Sequence, residues 1–248
     1  MTIKELAKSL VRRIVWPDAY SEQRYIAQLR NKYGIAVGEG TRIFEPHTQT
    51  IDITRPYMLE IGRYVKIARN CTILCHDYSR SVCISIPGMG NVGESKMTRI
   101  GDNVFIGVNT TILMGAHIGS NSVVGAGSVV SGRFPDGSVI AGNPARVICS
   151  IEEYYEKRKL RQCEAAKEFA AMWKKSTGQL PRLEDMTDAF SWLYLPHTEE
   201  TLAKYPRIFH YGGVDEQTMR ENFLSSKPCY PSFEAFLEDC MMEGSVCK

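Results

Sequence analysis

The segment Arg99–Val130, RIGDNVFIGVNTTILMGAHIGSNSVVGAGSVV, places an aliphatic residue at every sixth position. These residues are Ile100, Ile106, Ile112, Ile118, Val124 and Val130. A helix repeats at about 3.6 residues and a strand at about 2, so neither element explains this period. A period of six is typical of a coil with three sides, in which each side advances by one hexapeptide and its aliphatic side chain points inward. The segment therefore predicts a three-sided coil.

Two further positions of the hexapeptide agree with this coil. Glycine follows the aliphatic residue in four of the six repeats, at positions 101, 107, 119 and 125. The position four residues after the aliphatic residue is small or β-branched, and its occupants are Val104, Thr110, Ala116, Ser122 and Ser128. A tight corner needs a residue without steric bulk or one that tolerates unusual backbone angles, which explains both preferences.

The same register is present upstream at Ile61, Ile67 and Ile73, but the 27 residues from Ile73 to Ile100 are not a multiple of six. A loop of about residues 79–98 must therefore leave the coil between two turns, and loops of this length in a compact repeat usually carry function. Before residue 60 the hexapeptide is imperfect, and a first irregular turn is predicted from its aliphatic residues, Ile43, Ile51 and Ile53. After Val130 the register slips and resumes at Ile140.

The region from about residue 38 to Ile148, with its ending Ala141-Gly142-Asn143-Pro144-Ala145-Arg146-Val147-Ile148, resembles the hexapeptide-repeat acyltransferases. Within that superfamily it is similar to the galactoside, maltose and polysaccharide O-acetyltransferases. The resemblance implies a mainly β fold, a left-handed parallel β-helix, and acetyl-CoA as co-substrate. It also implies a homotrimer in which each active site lies between two subunits.

Composition excludes several other classes of protein. A net charge of +2 without a cluster of Lys and Arg argues against a nucleic-acid-binding protein. Eight cysteines without a CxxC pair indicate a reducing compartment, and no metal site is expected. The apolar run Leu10–Trp16 is short and interrupted by Arg12 and Arg13, so neither a signal peptide nor a membrane span is predicted. These observations together favour a cytoplasmic protein.

Three regions are expected along the chain: an N-terminal helical cap (1–36), a β-helix acyltransferase domain (37–149) and a C-terminal, mostly helical extension (150–248). Thr2 with Glu5 predicts a first helix, and Ser21 predicts the start of a second helix that Gly34 ends. Ser150 with Glu153 predicts a long helix to residue 175, followed by helical pieces within 183–194, 198–204 and 232–242.

The aromatic residues of the extension allow two interpretations. They either pack against the coil or a neighbouring subunit, or they form the wall of a saccharide site; the residues concerned are Trp192, Tyr194, Phe209 and Tyr211. The sequence does not decide between these two roles.

His76 is the candidate catalytic residue, because it stands where the regular coil ends and the long loop begins. Acyl transfer to a hydroxyl group needs a base for the hydroxyl proton, and histidine is suited to that task at neutral pH. The alternative is a histidine that merely occupies a corner of the coil. His117 is a weaker candidate for the site, and the other histidines, at positions 47, 197 and 210, are expected to be structural or exposed.

Two residues near His76 are candidates for binding the acceptor. Asn70 matches an asparagine that binds the acceptor in similar sugar acetyltransferases, but it could equally be a corner residue with left-handed backbone angles. Asp77 could orient the imidazole or bind the acceptor, although it falls at the small inward position of its hexapeptide. No carboxylate partner for His76 is identifiable from the sequence, and Cys75 is expected to face away from it.

The resemblance also implies the coenzyme-binding residues. Backbone amides at Gly107, Gly125 and Ala126 would contact the pantetheine arm, and Phe105 would provide an apolar contact beside the thioester. The remaining candidates are Ser131, Arg133, which is displaced by one residue from the cation of relatives, and Arg146, whose planar guanidinium suits phosphate. For the glycines, plain corner geometry is an equally good explanation.

The predicted function is transfer of an acetyl group from acetyl-CoA to a hydroxyl of a saccharide, with His76 as general base, in the biosynthesis of a capsular or surface polysaccharide. The transfer would be direct, in a ternary complex. An amine acceptor is an alternative. A non-catalytic scaffold and a γ-carbonic-anhydrase-like metalloprotein are two others, although His117 lacks the second histidine that a zinc-binding HxxxxH pair requires.

Overall fold

The computed structural model describes residues 21–242, apart from the side chains of residues 187 and 188. The chain divides into two compact units, and the boundary falls between Tyr154 and Tyr155. The predicted helix that Thr2 would begin lies outside the described residues. Across the part of the chain that the structure covers, no helix is long and apolar enough to cross a membrane.

The first unit begins with helix α1, Glu22–Asn31. As predicted, Ser21 is its N-cap, and its Oγ accepts a hydrogen bond from Arg24 N. Gly34, with φ +76°, follows the end of the helix. Glu22 Oε1 accepts hydrogen bonds from Arg42 Nε (2.6 Å) and Ile43 N (2.8 Å), so α1 is attached to the first turn of the coil.

Fifteen short strands follow in the described residues. They are β1 (Ala36–Val37), β2 (Arg42–Ile43), β3 (Thr50–Ile51), β4 (Leu59–Ile61), β5 (Lys66–Ile67), β6 (Thr72–Ile73), β7 (Thr98–Ile100), β8 (Phe105–Ile106), β9 (Thr111–Ile112), β10 (His117–Ile118), β11 (Val123–Val124), β12 (Val129–Val130), β13 (Arg133–Phe134), β14 (Ser138–Gly142) and β15 (Ala145–Ser150).

Each strand from β4 to β14 pairs in parallel with the strand three places before it, and this pairing forms three sheets around one coil. The first sheet has the order β1-β4-β7-β10-β13, the second β2-β5-β8-β11-β14-β15, and the third β3-β6-β9-β12. The last pair, β14 and β15, is antiparallel. The fold is the predicted left-handed parallel β-helix with a helical extension.

The aliphatic column of the hexapeptides forms the core of this coil. In the third sheet Ile73 pairs with Ile112 and Ile112 with Val130, and all three side chains are fully buried. The predicted register slip after Val130 is also present, because Ile118 pairs with Phe134, sixteen positions later instead of eighteen. The predicted irregular first turn is present as β1 to β3. Of its three aliphatic residues Ile43 and Ile51 are buried, whereas Ile53 is 40% exposed and lies just before the bend at residues 54 and 55.

The predicted loop leaves the coil at His76. It forms one short helix, α2 (Arg80–Ile84), and returns where Ser95 forms an antiparallel bridge with His76. Lys96 N donates to Cys75 O at this point (3.3 Å). The loop carries a row of exposed apolar side chains, which are Tyr78, Val82, Ile84, Met89 and Val92.

The second unit contains most of α3 (Ile151–Thr177), followed by α4 (Thr187–Phe190), α5 (Glu199–Lys204), α6 (Glu216–Ser225) and α7 (Phe233–Met242). Ser150 caps α3 as predicted, since its Oγ accepts from Glu153 N (3.1 Å). Helix α6, which Asp215 caps, was not predicted. The four aromatic residues pack within this unit itself: Tyr194 and Phe209 lie in its apolar core, and the partly buried Trp192 and Tyr211 pack against that core.

Candidate active site

His76 follows β6 at the point where the chain turns out of the coil. The side chains of Ile73 and Cys75 are fully buried in the coil, whereas the side chain of His76 is 21% exposed. Among the described residues no group forms a hydrogen bond with its Nε2. This ring nitrogen is therefore available to a molecule outside the coil.

The other ring nitrogen of His76 contacts a buried carboxylate. Nδ1 lies 2.5 Å from Oδ2 of Asp52, whose side chain is 2% exposed. Asp52 directly follows β3, and the pairing of Ile51 with Ile73 places it one turn away from the end of β6. With Nδ1 donating to the carboxylate, a neutral imidazole has its lone pair on Nε2, the tautomer that a general base requires.

Asp52 is held by donors on both oxygens. Oδ1 accepts from Thr54 N (3.0 Å) and Thr54 Oγ1 (2.6 Å), and Oδ2 accepts from Cys75 N (3.1 Å) and Cys75 Sγ (3.0 Å). Burial raises the pKa of Asp52, but the hydrogen bonds from Cys75, Thr54 and His76 outweigh burial and lower it far below its ordinary value. The carboxylate is therefore ionised and fixed at neutral pH.

Asp52, Cys75 and His76 are also the one group in the described residues that could offer three ligands to a metal ion, with ligand atoms within 4.8 Å of one another. Two ligands of a tetrahedral zinc ion lie about 3.3 to 3.7 Å apart, because the bonds to the metal are about 2.0 to 2.3 Å long. The distances from Asp52 Oδ2 to Nδ1 (2.5 Å) and to Sγ (3.0 Å) are shorter. Burial and Asp52 also raise the pKa of the Cys75 thiol to about 12. The three side chains therefore fit a hydrogen-bonded cluster and not a metal site.

Asn70 and Asp77 lie near His76 in sequence but do not bond its ring. Asn70 is exposed, has φ +59° and donates from its backbone N to Thr48 Oγ1 (2.9 Å), which is the corner geometry expected of such a residue. Asp77 Oδ1 accepts from Ser79 N (3.1 Å) and Ser79 Oγ (2.9 Å), and these two bonds lower its pKa. The expected inward position of Asp77 was wrong, because the chain has already left the coil at His76.

The candidate coenzyme residues fall on several sides of the coil. Gly107, Gly125 and Ala126 lie together on adjacent turns, since a Cβ on Gly107 would come within 2.6 Å of Ala126 N and 2.9 Å of Gly125 C. Phe105, on β8 of the second sheet, is 42% exposed. Arg146 lies in the same sheet on β15, where its guanidinium donates to Ala145 O (2.8 Å).

Arg133 and Ser131 do not lie in the second sheet with Phe105 and Arg146. Ser131 follows β12 of the third sheet, whereas Arg133 is on β13 of the first sheet, in register with His117. A groove of about 710 Å³ runs over this sheet and includes Arg99, His117 and Arg133 in its lining. Partial burial and then the charges of Arg133 and Arg99 lower the pKa of His117. Within one chain, therefore, the structure does not bring Arg133 together with Phe105 or Arg146.

Sequence reasoning missed Asp52, Thr54 and the role of Cys75. One signal was available: where most regular hexapeptides have Gly or Ala after the aliphatic residue, Ile51 is followed by an aspartate. Cys75 was expected to face away from the site, but its buried thiol and the ring of His76 contact the same carboxylate oxygen of Asp52.

A family model described as the hexapeptide repeat of succinyl-transferase matches residues 97–131. The Bacillus subtilis protein YvoF, named provisionally as an acetyltransferase, is 42% identical over 108 residues, which are 44% of this chain and 57% of that protein. The chain thus spans a little over half of the length of this relative.

Two further relatives are matched over a larger share of their length. WbbJ of Escherichia coli, named provisionally as a lipopolysaccharide biosynthesis O-acetyl transferase, is 36% identical over 50% of this chain and 67% of that protein. Protein CapG of Staphylococcus aureus is 40% identical over 51% of this chain and 72% of that protein. Among solved structures, a hexapeptide-repeat acetyltransferase of Vibrio cholerae matches with 22% identity and a TM-score of 0.43, over 61% of this chain and 94% of that chain.

Proposed function

The chain belongs to the hexapeptide-repeat acetyltransferases, and from this premise we propose that it transfers the acetyl group of acetyl-CoA to a hydroxyl group of a saccharide, with His76 as general base. The observation that carries the proposal is the contact between His76 Nδ1 and the buried carboxylate of Asp52, on a partly exposed ring whose Nε2 forms no hydrogen bond with the described residues.

The reaction needs a base and a way to stabilise the charge that the base acquires. His76 Nε2 would accept the hydroxyl proton as the hydroxyl oxygen forms a bond to the thioester carbonyl carbon. The ionised carboxylate of Asp52 would stabilise the resulting imidazolium and keep the ring in one orientation. When the carbon–sulfur bond breaks, the imidazolium would return the proton to the coenzyme thiolate, so that no proton is gained or lost.

A saccharide is the proposed class of acceptor, and biosynthesis of a surface polysaccharide the proposed setting. The support is the relative WbbJ, whose name assigns it to O-acetyl transfer in lipopolysaccharide biosynthesis. A hydroxyl acceptor also suits the site, because a neutral imidazole that hydrogen-bonds a carboxylate is a base of suitable strength for a hydroxyl proton.

A homotrimer is the proposed assembly, with each site formed between two subunits. Two features of the single chain support it. The coenzyme candidates Gly107 and Arg133 lie on different sides of the coil, and the loop that begins at His76 exposes apolar side chains that a neighbouring copy would cover.

The test is an acetyl-transfer assay of the full chain with acetyl-CoA and a panel of saccharides that includes amino sugars, measured by chromatography of free CoA and the mass of the acceptor. His76→Ala should lower kcat by roughly 10² to 10⁴ while calorimetry still shows binding of acetyl-CoA. The matched control is His210→Ala, whose exposed ring lies 3.7 Å from Glu216 Oε1. An unchanged rate in His76→Ala, or acetylation of amines alone, would contradict the proposal.

A further inference from the structure

The thiol of Cys75 has an unusual position for a buried cysteine. Its side chain is fully buried, and Sγ lies 3.0 Å from Oδ2 of Asp52 and 3.5 Å from the carbonyl oxygen of Arg55. A thiol has one proton to donate. The carboxylate oxygen is both nearer and charged, and hydrogen bonds to charged acceptors are the stronger ones. The S–H group therefore donates to Asp52.

The thiol and the imidazole share one acceptor atom. Oδ2 of Asp52 accepts hydrogen bonds from Cys75 N (3.1 Å), Cys75 Sγ (3.0 Å) and His76 Nδ1 (2.5 Å). Thr54 donates to the other oxygen, Oδ1, and its Oγ1 also lies 3.2 Å from His76 Nδ1. Because several donors divide the charge of one oxygen, removing one of them changes how strongly that oxygen binds the proton of another.

We propose that Cys75 is a positioning residue of this site: its thiol donates to Oδ2 of Asp52, keeps the carboxylate ionised and sets how strongly it binds the Nδ1 proton of His76. The proposal rests on the proposed function, in which His76 is the base. Burial and the neighbouring carboxylate raise the pKa of the thiol to about 12, so it remains protonated, and remains a donor, throughout the neutral range.

Loss of this donor should make the Asp52–His76 pair easier to protonate. The low-pH limb of the pH–rate profile reports protonation of the catalytic base of the free enzyme, and a nearby carboxylate changes how readily such a base is protonated. In Cys75→Ala, Oδ2 of Asp52 loses one hydrogen bond to its ionised form, and the limb should move to higher pH. If the limb moves by about half a pH unit, kcat/KM should fall about threefold in the acid range where the rate depends on pH. It should change little near neutral pH, where the rate no longer depends on pH.

The experiment compares kcat/KM from acid to neutral pH for the full-length wild type, Cys75→Ala and Cys75→Ser. Serine retains a donor and should return the limb close to that of the wild type. The matched control is Cys71→Ala, which removes another buried thiol of the same coil, one that lies 3.3 Å from Gly107 O and not beside Asp52. It should leave the limb in place.

A second measurement does not depend on catalysis. In protein labelled with ¹³C at the aspartate carboxyl carbon, the Asp52 signal, identified by its loss in Asp52→Asn, should titrate at higher pH in Cys75→Ala than in Cys71→Ala. An active wild type whose limb and Asp52 titration are both unchanged by Cys75→Ala would overturn the inference alone. The inference would also fail if Cys75→Ala and Cys75→Ser lowered the rate equally at every pH, since altered packing produces that result.

If the wild type transfers no acetyl group, the proposed function fails, and the role of Cys75 in that reaction fails with it. The Asp52 titration then still reports whether the thiol bonds the carboxylate. The two failures are therefore distinguishable.

Discussion

At the scale of single residues, the site depends on one carboxylate. Asp52 accepts four hydrogen bonds from Thr54 and Cys75 and contacts the ring of His76 through Oδ2. A buried carboxylate without such partners would be costly, so these donors explain why Asp52 is ionised in an almost fully buried position.

The stability of the protein should therefore depend on Asp52 in acid. Because the pKa of Asp52 is lowered in the folded state, its contribution is present above its unfolded value of about 3.8 and is lost as the pH falls below it. Asp52→Asn lacks this ionisable group, so its free energy of unfolding should fall less than that of the wild type when the pH is lowered from neutral to acid. The difference between the two losses should be on the order of 2 kcal/mol.

This is measured by urea unfolding of both proteins from pH 7 to pH 2, and Asp77→Asn is the control. Asp77 is partly exposed and bonds only Ser79 in its own loop, so its replacement should have a much smaller effect. Equal slopes for wild type and Asp52→Asn would contradict the assignment of Asp52 as an ionised buried group.

At the scale of elements, the coil is built by close stacking of successive turns. A Cβ on Gly107 would lie 2.6 Å from Ala126 N, and one on Gly119 would lie 2.3 Å from Asp136 N. These glycines are therefore required by the contact between neighbouring turns, whether or not a coenzyme binds there.

Replacing Gly107 by alanine should destabilise the coil by about 1 to 3 kcal/mol, because backbone atoms of the next turn must move away from the new Cβ. Gly90 is the matched control: it lies in the long loop, and a Cβ there would meet no atom within 4 Å. Chemical denaturation followed by circular dichroism measures both variants. A Gly107→Ala protein as stable as Gly90→Ala would show that the turns do not stack as closely as described.

At the scale of the whole molecule, the chain consists of two compact units, each with its own apolar core. In the first unit, the loop after His76 leaves a row of apolar side chains exposed, among them Tyr78 (69%), Val82 (63%) and Val92 (66%). Exposed apolar side chains that are grouped in this way usually mark an interaction surface.

Analytical ultracentrifugation should therefore find three copies of the wild-type chain associated at micromolar concentration. The double variant Val82→Asp with Val92→Asp should shift the distribution to monomers, because burying two carboxylates at the interface is unfavourable. Met172→Asp, at an exposed position on α3 of the second unit, is the control and should remain associated. A monomeric wild type, or a double variant that still forms trimers, would refute this use of the loop.

The sequence alone determined the coil, its register from Ile61 to Ile140, the loop after His76 and several helix starts, because each depends on a local and periodic pattern of apolar side chains and caps. Asp52 was beyond this reasoning. Asp52 meets His76 because Ile51 pairs with Ile73, and these two residues lie 22 positions apart, which is not a multiple of six. A strict hexapeptide register therefore does not place Asp52 beside His76.

The tertiary structure decided which side chains meet across turns. In the irregular turns, the position of a side chain depends on the path of the backbone and not on the hexapeptide. This path brings Asp52, Cys75 and His76 together. It leaves the side chains of Asp77 and Ile53 outside the core of the coil. In the same way the coil separates Arg133, in the first sheet, from Phe105, in the second sheet. A period predicts which side chains point inward, whereas contacts between turns depend on the length of every turn that separates them.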